Sequence, residues 1–157
     1  VTPAPLTVTA SNASREYGAS NPTLSGAVTG VRNGDLIKAA YATAATEASG
    51  VGGYDITATL LDPDVKLGNY SVTNTKGTLT VTPAPLTVKV SDASREYGAS
   101  NPALGGTVTG VRHGDAITAV YATAATESSA VGSYDITATL LDPDAKLGNY
   151  SVTNTKG

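Results

Sequence analysis

Residues 78 to 88 read "TLTVTPAPLTV". Leu79 and Val81 alternate with Thr78, Thr80 and Thr82, and Leu86 and Val88 alternate with Thr87 and Lys89. A period of two marks a strand with one buried face, so each half is a predicted strand. Between the halves stand Pro83, Ala84 and Pro85. Proline fixes its own φ and pushes its predecessor towards extended backbone, so the link is predicted to be short and stiff. The right half also opens the chain, as "VTPAPLTV" at residues 1 to 8. The stretch is thus the end of one fold and the start of its copy.

Shifting the sequence by 80 residues aligns 1–77 with 81–157 without a gap, and 63 of the 77 positions are identical. A period of this length is the mark of a repeat array. The predicted domains are 1–82 and 83–157, the second lacking the last strand residues of its period. The window is expected to be cut from a longer array.

Within one period, "PLTVTAS" (5–11) alternates as a strand. "NASREYGASNP" (12–22) has the Asn, Ser, Gly and Pro of a loop, with Tyr17 as its one large anchor. "TLSGAVTGV" (23–31) offers a short strand through Leu24 and Val28. "GDLIKAAYATAATEA" (34–48) has helix formers, but its copy replaces Lys38 by Thr118 and Ala40 by Val120. Those changes favour pleated structure, so Ile37–Thr46 is assigned mainly to strand. In "VGGYDITATLLD" (51–62), Tyr54, Ile56, Ala58 and Leu60 share a face. A turn over 62–69 and a strand in "YSVTNTKG" (70–77) follow. Each period is predicted to hold five to seven short strands.

Composition narrows the function. The 157 residues carry a formal charge of −3 and no cluster of Lys or Arg, so the basic footprint of a nucleic-acid binder is missing. No apolar run reaches the roughly 18 residues of a membrane-spanning helix, and nothing resembles a signal peptide. There is no Cys, Met, Trp or Phe, and the eight aromatic residues are all Tyr. A core of Ala, Val and Leu with a few Tyr is thin, which favours small β units.

The order "PLTV", "YGASNP", "GVRNGD", "VGGYDIT", "LGNYSVT" and "GTLTVTPAPLTV" resembles the MBG domain of the YGX type, twice over and along essentially the whole chain. That family recurs in bacterial surface and secreted adhesins. The resemblance implies small β-rich domains, β-grasp-like with a small β-sandwich as the alternative, arranged end to end as an elongated rod. It implies an extracellular, cell-surface setting and a role in cell adhesion and biofilm. It carries no catalytic residue.

The candidate sites are weighed accordingly. Asp62, Asp64 and Asn69, with Asp142, Asp144 and Asn149, set oxygen ligands near a Gly as a calcium loop does. The full EF-hand spacing is missing, and Asp-Pro-Asp is ordinary turn chemistry. A plain turn is the stronger reading, and no cofactor is expected. Tyr17, Tyr54, Tyr70, Tyr97, Tyr134 and Tyr150 are read as core anchors, with Tyr41 and Tyr121 beside them, rather than as a sugar-stacking platform. Arg15–Glu16 and Arg95–Glu96 are read as exposed pairs of small effect. The single histidine, His113, faces Asn33 in the other copy, so no histidine-dependent catalytic site serves both repeats. Glu47 or Glu127 next to a Lys invites an isopeptide crosslink, for which the sequence gives no buried setting. The expected function is a monomeric stalk whose partners are neighbouring repeats of the same chain. The alternative is a weak, multivalent glycan- or mucin-binding module. An enzyme is not expected.

Overall fold

A computed structural model describes all 157 residues. The chain forms two compact units, Val1–Thr82 and Pro83–Gly157.

The first unit holds seven strands: β1 (Ala4–Ala10), β2 (Ala13–Glu16), β3 (Gly26–Thr29), β4 (Lys38–Thr43), β5 (Gly52–Leu61), β6 (Tyr70–Thr75) and β7 (Gly77–Thr82). They make two sheets, in the orders β3-β1-β6 and β2-β7-β5-β4. In the first, β1 lies antiparallel to β3 and parallel to β6. In the second, β7 is parallel to β2 and antiparallel to β5, and β4 is antiparallel to β5. The alternation read from the sequence sets which face is buried. Leu6, Val8 and Ala10 of β1 point inward while Thr7 and Thr9 face out, and β7 does the same with Gly77, Leu79 and Val81.

The two sheets share two buried clusters. Ala10 of β1 packs with Ile56 of β5 and Leu79 of β7. Leu6 of β1 and Tyr70 of β6 pack with Ile37, and Leu60 of β5 lies against them. Each fully buried Leu, Ile or Val contributes on the order of 1.5–3 kcal/mol. The helical content is one three-residue 3-10 turn per unit, Leu67–Asn69 and Leu147–Asn149. The unit is mainly β, with two sheets and no α-helix.

Two predicted strands are shorter than expected, β3 starting at Gly26 beyond Leu24 and β4 covering only Lys38–Thr43 of Ile37–Thr46, and one predicted loop forms a strand. Ala13–Glu16 lies in the stretch read as loop, yet it is strand β2, paired parallel with Leu79–Thr82. Its residues have no apolar alternation, and the ladder to β7 is what extends them.

The second unit holds β8 (Ala84–Val90), β9 (Gly106–Thr109), β10 (Thr118–Thr123), β11 (Ile136–Leu141) and β12 (Tyr150–Thr155). Its sheets are β12-β8-β9 and β10-β11, with the same registers as their first-unit counterparts. Residues 93–96 repeat the Ala-Ser-Arg-Glu of β2 but form no strand, and β11 begins at Ile136 instead of four residues earlier as β5 does. Both differences fall where β7 lies in the first unit.

Candidate functional site

The closing strand β7 and the residues that follow it are the candidate element. β7 sits between β2 and β5, so both of its edges carry ladder bonds. Leu79 and Val81 are sealed beneath it, at 0% and 1% exposure. Its ends are tied as well. The Thr78 N–H donates to Asn12 Oδ1 at 2.9 Å, and the Tyr17 N–H donates to the Thr82 carbonyl at 2.8 Å.

Only Pro83 separates β7 from β8. Ala84 and Pro85, predicted as part of the link, are the first residues of β8 and pair with Tyr150 and Ser151. Proline is tolerated at a strand start because it need not donate there. Here the antiparallel neighbour β9 joins only from Thr87 onward, so Pro85 faces a strand on one side alone.

Arg15 secures the loops over β2. It is only 7% exposed, and its guanidinium reaches three acceptors. Nε donates to Asn21 Oδ1 at 2.8 Å, one terminal nitrogen donates to the Glu16 carbonyl at 3.1 Å, and the other donates to the Thr46 carbonyl. Asn21 in turn donates to the Ala45 carbonyl at 2.6 Å. This corrects the sequence reading of an exposed residue of small effect. Arg95 makes the same set of bonds in the second unit but is only half-buried.

The tyrosines divide. Tyr17, Tyr70 and Tyr150 are buried at 2%, 8% and 7% exposure. Tyr70 Oη donates to Asp35 Oδ2 at 2.7 Å and accepts from the Arg32 N–H at 2.9 Å. Hydrogen bonding to the Asp35 carboxylate, and then burial, hold its phenol above the usual 10.0. Tyr54 is half-buried and donates to the Gly50 carbonyl at 2.9 Å. Tyr97 and Tyr134, predicted as anchors, are 70% and 43% exposed. They have the sequence surroundings of Tyr17 and Tyr54 but no strand like β7 to cover them.

In the acidic loops, both carboxylate oxygens of Asp62 accept backbone N–H groups, from Lys66 at 2.9 Å and Leu67 at 2.7 Å. Asp142 does the same with Lys146 and Leu147. Asp64, Asp144 and Asn69 are exposed, and Asn149 is half-buried in the 3-10 turn. No group of three or more His, Cys, Asp or Glu is placed to hold a metal ion. His113 lies in the turn Arg112–Asp115 with φ +54°, the backbone of Asn33 in the other unit. Glu47 and Glu127 are exposed. No helix is long and apolar enough to cross a membrane.

The family model of the MBG domain (YGX type) matches residues 6–80 and again 86–157. Neither the curated proteins nor the solved structures provide a match to this chain.

Proposed function

The chain belongs to the MBG domain family of the YGX type, in two tandem copies, and from that premise we propose that it is a spacer of a surface adhesin. The family is a repeat module of adhesin-like extracellular proteins. The finer role proposed here is a stalk that holds some other binding domain away from a bacterial cell. Near-identical units let stalk length change by whole periods, and no unit needs chemistry of its own.

The observation that carries this reading is the one-residue link. β7 ends at Thr82 and β8 starts at Ala84. A lone proline between two laddered strands has little slack, so a pull on one unit passes through backbone into the sheet of the next. The family's small β domains would then act as beads on a stiff chain, end to end, each stable alone as a monomer.

Small-angle scattering tests it. One compact globule of this length has a radius of gyration of about 15 Å, and two beads about 40 Å apart give about 23 Å. The larger value is expected, and the smaller would overturn the spacer. The glycan-binding alternative is separated by a glycan array. A stalk shows no saturable binding there.

A further inference from the structure

Asn33 and Gly34 occupy the two corner positions of the turn Arg32–Asp35, at φ +54° and +72°. We propose that Asn33 is a site of spontaneous intramolecular deamidation, which converts it to isoaspartate and loosens the hold of Tyr70 in the first unit only.

The reaction needs a backbone nitrogen that can reach the carboxamide carbon of the asparagine before it. The Gly34 nitrogen gives up its proton and bonds to Asn33 Cγ, the Cγ–Nδ2 bond breaks, and ammonia leaves with that proton. Water then opens the cyclic imide. Opening at Cγ gives Asp, and opening at the former main-chain carbonyl gives isoaspartate, with one more CH2 in the backbone. Asn33 is exposed, and a Cβ built on Gly34 meets nothing within 4 Å, so the approach is open. Neither residue lies in a strand ladder, and one bond closes the turn, from the Asp35 N–H to the Arg32 carbonyl at 2.9 Å. The other asparagines lack this combination. Asn21 and Asn101 precede Pro, which has no N–H to lose. The other five each precede a strand residue, Ala, Tyr or Thr, whose side chain crowds the approach. One group grips both flanks of the turn. Tyr70 Oη donates to Asp35 Oδ2 at 2.7 Å and accepts from the Arg32 N–H at 2.9 Å. These contacts fix the span that the turn closes, so a longer backbone at position 33 cannot keep them and the Arg32–Asp35 bond together. The second unit is a built-in control. His113 and Gly114 stand at φ +54° and +67°, with the same turn bond at 2.9 Å and the same grip by Tyr150. An imidazole has no carboxamide carbon to attack and no ammonia to release.

The test ages the whole chain for weeks at neutral pH, beside the free peptide VRNGDLI of residues 31–37. Cleavage after Glu16 and Glu47 then isolates residues 17–47 for mass spectrometry. Asn33 should carry –OH in place of –NH2, with isoaspartate as the larger product, while the other asparagines stay intact. Its rate should fall within about tenfold of the peptide's, since the net worth of one turn hydrogen bond corresponds to about that factor. In the aged chain the amides of Arg32 and Asp35 should lose at least about tenfold in hydrogen-exchange protection, and those of Arg112 and Asp115 should keep theirs. Asn33→His should give no product and hold its protection through the same incubation. An Asn33 that stays intact while the peptide reacts, or equal conversion at other asparagines, overturns the proposal. So does isoaspartate formed with Arg32 and Asp35 still protected, or an equal loss of protection in Asn33→His.

Discussion

Val65 stands at φ +54° and is 86% exposed. A β-branched side chain in the left-handed region strains the backbone by about 1–2 kcal/mol, and here no burial offsets it. Asn33 adopts the same φ in its own turn, and Asn tolerates that region. Val65→Asn should therefore raise the stability of the first unit by about 1 kcal/mol, read from hydrogen exchange of its core amides. An unchanged or lower value would show that Val65 is not strained. Gly26 obeys the opposite logic. A Cβ there would run into the Thr9 carbonyl and the Tyr41 ring, so the ring lies where only glycine leaves room. Tyr70 adds a pH term. Its phenol is held above 10.0 in the folded state, so the bond to Asp35 stabilises fully below that value. That stability is lost as pH rises past 10 through the folded value, since the unfolded chain then binds fewer protons. Tyr70→Phe should flatten the alkaline fall in first-unit stability. A variant with the same alkaline slope as the parent would sink this assignment.

Strand β7 is the element on which the first unit turns. Leu79 is fully buried at its centre, so Leu79→Ala should destabilise that unit by about 3 kcal/mol. Amide exchange resolves the two units separately, and a loss under about 1 kcal/mol would mean the strand is peripheral. The bonds that Arg15 and Arg95 share allow a paired comparison. Lysine cannot reproduce the guanidinium fork, and buried bonds to a charged group are worth about 1.5–3 kcal/mol each. Arg15→Lys should cost the first unit about 2 kcal/mol, and the half-exposed Arg95 should cost the second clearly less. Equal losses would show that burial does not set the value of these bonds. The same elements mark how far the sequence could be read. Strands β1, β5, β6 and β7 were legible because Leu, Val, Ile and Tyr alternate with Thr and Asp along them, a signal held within each segment. β2 was not, because Ala-Ser-Arg-Glu becomes a strand through a partner more than sixty residues away in the chain. The exposure of Tyr97 and Tyr134 was illegible for the same reason. Burial belongs to whatever covers a residue, and their local sequences match those of Tyr17 and Tyr54.

At the scale of the whole molecule the question is what Pro83 transmits. A flexible linker would let each unit turn freely, and a load would extend the linker before reaching either sheet. With Pro83 alone between Thr82 and Ala84 there is almost nothing to extend. Slack added at this point should therefore be visible in solution. A Gly-Ser insertion of about ten residues between Thr82 and Pro83 has a root-mean-square span of about 17 Å and no preferred direction. It should broaden the pair-distance distribution from scattering and remove any sharp rod-like cross-section. Amide exchange within each unit should stay unchanged, because every ladder bond lies inside one unit or the other. Matching scattering profiles before and after the insertion would mean that the proline never restrained the units, and the stiffness on which the proposed spacer depends would have no source in this junction.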